Sequence, residues 1–196
     1  MAPYVVVDVF TETPLEGNPL AVFTDGSGIP PERMQRIARE MNLSETVFVL
    51  PPGSGGDHRI RIFTPFTELP FAGHPTLGTA YVVGSASEAG AVTLETGAGA
   101  VEVGFTRAGG RIRSGRMTQP IPTWEPFEEP AGVLAALGGA VPVLPVEVYR
   151  NGPAHVYVAL AREEDVASLQ PDLGALARLW DGGIYCFAGS GAHRRA

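Results

Sequence analysis

Pro70-Phe71-Ala72-Gly73-His74-Pro75-Thr76-Leu77-Gly78-Thr79 reads as a loop that passes directly into a helix. Pro75 suits the first helical position, where its missing N–H would have no partner anyway. That reading puts His74 at the N-cap, a position that Ser, Thr, Asp or Asn fills for structural reasons. Gly73 lets another group approach the backbone closely. The free amides of a helix start favour an anion, and a local rule broken at such a place points to function. The helix is expected to reach about Val83, with Leu77, Ala80 and Tyr81 as its apolar stripe.

On both sides of this segment the pattern is that of strands. Residues 4–10, 20–23, 46–50 and 58–63 precede it, the last with Ile60 and Ile62 alternating with Arg59 and Arg61. A helix from Pro30 to Asn42 carries Met34, Ile37, Ala38 and Met41 at i, i+3, i+4 and i+7. Strands near 91–96, 99–105 and 110–116 follow, separated by Gly-rich turns. Gln119-Pro120-Ile121-Pro122-Thr123-Trp124 then reads as a connector between a domain 1–118 and a domain 119–196.

After the connector and a short helix around 130–137, the opening pattern returns. Val146-Glu147-Val148-Tyr149 echoes Val7-Asp8-Val9-Phe10, and Asn151-Gly152-Pro153 echoes Gly17-Asn18-Pro19. Strand 155–160, helix 171–180 and strand 183–187 repeat the order of the first half. Two related α/β halves are the expectation, with a cleft between them. The second half has no counterpart of residues 58–116, and its tail, 189–196, reads as structureless. The second domain is therefore expected to be incomplete, with strand edges that a second chain could cover.

Composition excludes several chemistries. The 196 residues contain no lysine, so Schiff-base catalysis, pyridoxal phosphate and a P-loop are ruled out. Cys186 is the single cysteine, which excludes an internal disulfide and a two-thiol mechanism. The four histidines have no neighbour at metal-ligand spacing, so no metal site is expected. A net charge of −7 argues against nucleic acid and anionic membranes as partners. No apolar run has the length of a membrane span, and the start leads directly into a strand, so a cytoplasmic protein is expected.

Glu45, in Asn42-Leu43-Ser44-Glu45-Thr46-Val47-Phe48, opens a strand between apolar neighbours. Burial there would raise its pKa toward the range useful for acid–base work, although Ser44-Glu45 also reads as a simple turn. His74 reads either as a helix cap or as a proton-handling group. Asn18 supports a turn or orients the carboxylate. Asp8 and Glu68 read as surface or capping residues, Arg59 and Arg61 as a solvated strand face, and Cys186 as core.

Five segments occur in one order: Val7-Asp8-Val9-Phe10, Gly17-Asn18-Pro19-Leu20-Ala21-Val22, Met41-Asn42-Leu43-Ser44-Glu45-Thr46-Val47-Phe48, Arg61-Ile62-Phe63-Thr64-Pro65 and Glu68-Leu69-Pro70-Phe71-Ala72-Gly73-His74-Pro75-Thr76-Leu77-Gly78. Together they resemble the phenazine biosynthesis PhzF-like family. The resemblance implies a diaminopimelate-epimerase-like fold of two pseudo-symmetric domains, each a curled sheet around a central helix. It also implies an isomerase, free of cofactors, of the trans-2,3-dihydro-3-hydroxyanthranilate type. Glu45 corresponds to the family's acid/base glutamate, and His74 to the histidine of the pocket. Gly73, Pro75 and Thr76 fall in the loop that binds the substrate carboxylate, and Asn18 is counted with them as substrate-binding. The partner implied is a small carboxylate substrate; the uncovered strand edges make a homodimer the expected assembly. One family motif, of the type Glu-Asp-Pro-x-Thr-Gly-Ser-Ala, is absent, so the chain reads as truncated. The alternative is a catalytically impaired small-acid binder or interaction protein.

Overall fold

In the computed structural model, residues 2–119, 121–190 and 193–195 are described. The chain divides into two compact units, Met1–Pro120 and Ile121–Ala196.

The first unit contains β1 (Tyr4–Val9), β2 (Asn18–Phe23), α1 (Pro31–Met41), β3 (Glu45–Leu50), β4 (His58–Phe63), β5 (Glu68–Leu69), α2 (Gly73–Gly84), β6 (Ala91–Thr96), β7 (Gly99–Ala108) and β8 (Arg111–Met117). The strands form one sheet in the order β1-β2-β3-β4-β6-β7-β8, with β5 against β4. A long crossover through α1 makes β2 and β3 parallel, Leu20 facing Glu45, whereas the short connections give antiparallel pairs. Helix α2 touches β1, β2, β3, β6 and β8, so the sheet curls around it from both ends.

Strand alternation assigns the two faces. Leu20, Val22, Val47, Val49, Ile60, Ile62, Leu94 and Val103 pack toward α2. Phe23, Phe48, Leu50 and Phe63 face the other way, against Met34 and Ala38 of α1. Each such side chain contributes about 1.5–3 kcal/mol on full burial, so the two-sided sheet supplies the main stabilisation of this unit.

The expected stripe on α2 is only partly realised. Ala80 is buried, but Tyr81 is 47% exposed, and Gly78 and Gly84 are buried instead. A Cβ on Gly78 would lie 2.7 Å from both the Leu20 and Val9 side chains. Small residues let the helix lie close against the sheet, and that proximity decides which side is inside. Glu95 closes the Gly-rich turn between β3 and β4. Its carboxylate accepts hydrogen bonds from the amides of Gly53 (2.7 Å), Ser54 (2.6 Å) and Gly56 (2.8 Å). Those amides, Gly53 and Gly56 foremost, hold its pKa down at about 2.

The second unit contains β9 (Thr123–Pro126), α3 (Pro130–Ala136), β10 (Glu147–Arg150), β11 (Ala154–Leu160), α4 (Glu163–Ala167), α5 (Leu173–Leu179), β12 (Gly183–Ser190) and β13 (His193–Arg195), in a sheet ordered β13-β12-β11-β10-β9. Part of the proline-rich connector is thus strand: β9 pairs with β10, Trp124 opposite Tyr149. The tail is not structureless through its length either. β12 extends to Ser190 and His193–Arg195 pairs back onto it, satisfying backbone groups. Gly191, Ala192 and Ala196, also in that tail, lie outside the described residues.

One face of this sheet packs Val148, Val156, Val158 and Leu160 against Val133 of α3, Leu137 at its C-cap and Leu176 of α5. The other carries a row of rings. Trp124 neighbours Tyr149 (6.5 Å between centroids), Tyr149 neighbours Tyr157 (5.0 Å), and Tyr157 neighbours Tyr185 (5.2 Å). Trp180 packs edge-on against Phe127 on the helical side, at 5.6 Å. Among the described residues no helix is long and apolar enough to cross a membrane.

Candidate active site

Glu45 is the first residue of β3 and shares parity with Val47 and Val49, so its side chain points to the face that α2 occupies. The approach is sharp. Asn42 ends α1 in the left-handed region (φ 52), its N–H donating to the Ala38 carbonyl at 3.1 Å. Only Leu43 and Ser44 separate that cap from the strand. The Ser44 hydroxyl donates to the Asn18 Oδ1 at 3.4 Å, tying this turn to the start of β2. Asn18 is thereby linked to Glu45 through its neighbour.

Helix α2 begins two residues earlier than its sequence implies. Ala72 is the N-cap in extended conformation, Gly73 is the first helical residue, and His74 is the second. His74 is therefore not the cap, and Pro75 is the third helical residue. Pro75 still costs no hydrogen bond, because the helix's first i→i−4 bond comes from the Thr76 N–H to the Ala72 carbonyl, at 3.3 Å. The Thr76 hydroxyl donates to the same carbonyl at 2.8 Å. Thr76 and Pro75 thus offer no free amide to a ligand. Among the described residues no backbone carbonyl accepts from the amides of Gly73 and His74. Gly73 is not in open space, since a Cβ there would lie 3.3 Å from the Met117 side chain.

This geometry brings His74 to Glu45. Nδ1 lies 3.2 Å from Oε2, and the side chains are 9% and 17% exposed. Oε2 of Glu45 and Nε2 of His74 are both buried without a hydrogen-bond partner. A buried polar atom left unpaired costs about 1–3 kcal/mol, so the pair is held at a cost that a ligand could relieve. Burial raises the Glu45 pKa and lowers that of His74, the Pro19 carbonyl opposing the latter. The imidazole is accordingly neutral at pH 7, beside a carboxyl group whose proton affinity is increased. Such a pair can accept and return a proton within a half-buried site.

Phe10, read from sequence only as a strand end, stands beside this pair. Its ring centroid is 6.4 Å from that of His74. A groove of about 810 Å³ between β1, α2 and β8 reaches Phe10 but does not include Glu45 or His74. No group of three His, Cys, Asp or Glu suited to a metal occurs among the described residues. The remaining candidates are structural. Asp8 accepts from the Leu15 amide at 2.8 Å, and Cys186 is half-buried against the second core. Arg61 is not simply solvated: Glu68 accepts two hydrogen bonds from it, each 2.7 Å.

The phenazine biosynthesis-like proteins, PhzC-PhzF, match residues 7–195 of this chain. The chain is 52% identical over 196 residues to a trans-2,3-dihydro-3-hydroxyanthranilate isomerase of Pseudomonas aeruginosa, covering all of this chain and 70% of that protein. With the enzyme of the same name from Pseudomonas fluorescens the identity is 49%, at the same coverage. A PhzF-family phenazine biosynthesis protein of Bacillus anthracis superimposes with a TM-score of 0.80 at 27% identity, over 97% of this chain and 67% of that one.

Proposed function

From the premise that this chain belongs to the PhzC-PhzF family of phenazine biosynthesis-like proteins and is an isomerase, we propose that it moves a proton between two carbons of a small unsaturated ring carboxylate, of the trans-2,3-dihydro-3-hydroxyanthranilate kind, with Glu45 carrying the proton. The substrate carboxylate is bound by the amides of Gly73 and His74, where the α2 N-terminus favours negative charge. Ionised Glu45 takes a proton from an acidified ring C–H. The C–H electron pair moves into the conjugated system and the double bond shifts. Glu45 then returns the proton to another carbon, so nothing is gained or lost overall. Neutral His74 adjoins the carboxyl group throughout, fixing its orientation. Pro75 and Thr76 form the turn that presents the two amides, and Asn18 holds the Glu45 turn through Ser44.

The observation that carries this reading is the buried Glu45–His74 contact, 3.2 Å long, with an unpartnered polar atom on each residue. General acid–base help of this type is worth about 10²–10⁴-fold. The rest of the rate has to come from orientation and charge stabilisation around the bound acid. The first unit is read as the domain of the acid–base pair and the second as its relative. A homodimer and a cytoplasmic setting complete the proposal.

The test is proton exchange on the dihydroaromatic acid in deuterated water. The parent incorporates deuterium at the two carbons between which the proton moves, and Glu45→Gln loses that incorporation by about 10²–10⁴-fold. Equal incorporation by both would remove Glu45 from the chemistry. Binding of the acid without exchange in either would favour the small-acid binder instead.

A further inference from the structure

Phe10 has a backbone that a bulky side chain seldom adopts, with φ at 68. Its ring does not recover this strain by packing, since the residue is 73% exposed. The same loop holds a second case, Leu15, with φ at 70 and 93% exposure. The loop is nevertheless tightly built. Asp8 accepts the Leu15 amide at 2.8 Å, and the Thr11 hydroxyl accepts the Thr13 amide at 3.0 Å. Gly17 brings the loop back so close that a Cβ there would lie 2.6 Å from the Val9 carbonyl. Strain maintained by surrounding structure, at an exposed aromatic residue beside a buried reactive pair, is an arrangement selected for something other than stability.

What Phe10 adjoins gives its use. Its ring lies 6.4 Å from the His74 ring at an interplanar angle of 51°, while His74 meets Glu45 through Nδ1. His74 thus neighbours both a carboxyl group and an exposed aromatic ring. A ring acid held by the Gly73 and His74 amides, with a C–H at Glu45, would have its flat side within reach of that face. We propose that Phe10 is a specificity-determining residue: its ring stacks on the substrate ring and selects planar, conjugated ring acids over saturated ones of similar size. This rests on the reading of the site as one for a ring carboxylate.

The test is equilibrium binding by calorimetry on the full chain, with 3-hydroxyanthranilate as the planar probe and trans-2-hydroxycyclohexanecarboxylate as the saturated one. The parent binds the planar acid about tenfold more tightly. Phe10→Ala loses that preference by weakening the planar acid alone, and Phe10→Tyr keeps it. Phe10→Gly loses it too, with a Tm at or above the parent's, because glycine accepts the positive φ without strain. A parent with no preference, or one that binds neither acid, overturns the proposal. So does a preference that survives in Phe10→Ala, or a Phe10→Gly protein that melts lower and weakens on both acids equally. Glu45→Gln separates this from the chemistry. If its proton exchange equals the parent's while Phe10→Ala loses selectivity, the acid–base reading falls and the role of Phe10 stands.

Discussion

Two carboxylates of the first sheet differ in how their charge is met. Glu95, at the end of β6, has three amides within 2.8 Å and a pKa held at about 2. Glu45, at the start of β3, has one oxygen with no hydrogen-bond partner, and burial raises its pKa. Both are largely withdrawn from solvent: Glu95 as a residue is 5% exposed, and the Glu45 side chain 17%. The first arrangement fixes a charge permanently and fastens a turn. The second leaves a proton easy to gain and easy to lose. Acidity at one position and readiness at the other are thus set by the number of donors, not by residue type.

The strongest way to break this contrast is to remove the neighbour of the poised group. His74→Ala is expected to lower deuterium exchange by about 10²-fold. An unchanged rate would make His74 a bystander. A smaller effect addresses the fastened group. Gly56→Ala would put a Cβ 2.7 Å from Glu95 Cγ and 3.1 Å from the Thr93 carbonyl. Overpacking of that kind costs about 1–3 kcal/mol, measured by denaturant unfolding followed by circular dichroism, with exchange by the folded protein intact.

Acid separates the two carboxylates further. Catalysis in the proposed form needs ionised Glu45 and neutral His74. The upward shift of Glu45 places the acid limb of kcat/KM above the ordinary carboxyl value of 4.5, and the downward shift of His74 keeps the imidazole neutral above 6.5, so kcat/KM should fall on the acid side of its profile. Stability follows different signs. Depression of the Glu95 pKa stabilises the fold above pH 4.5, and that contribution disappears as pH falls toward about 2. The raised pKa of Glu45 opposes folding once pH exceeds 4.5, so Glu45→Gln should melt higher than the parent at pH 7. The smallest effect lies in the second unit. Asp172 accepts the Ala175 amide at 2.9 Å as the N-cap of α5, and Asp172→Ala should cost about 1 kcal/mol with no change in exchange.

Much of this was legible wherever one period controls one element. The alternation over His58–Phe63 and the spacing of Met34 and Ala38 read directly as β4 and α1. So did the recurrence of a strand pair, a crossover helix and a parallel strand. β10, β11, α5 and β12 repeat the pairing senses of β1, β2, α1 and β3. What could not be read was settled by neighbours distant in sequence. Ala72 caps α2 with no capping side chain, so nothing local marks the true start. The inward side of that helix is decided by room beside Gly78, which depends on Leu20 and Val9. Phe10 carries no signal of its strain, because the constraint comes from Asp8 and the return of the chain at Gly17. Glu45 and His74 were legible as a pair only through the resemblance of their flanking motifs. Twenty-nine positions separate them, and no periodicity spans that interval.

Both indoles of the chain belong to the second unit, Trp124 in the exposed row of rings and Trp180 against Phe127. Emission from tryptophan therefore reports directly on the surroundings of that half. The half that holds Glu45 and His74 carries no indole of its own, so the unfolding of an active-site variant has to be followed by a probe that sees its sheet directly.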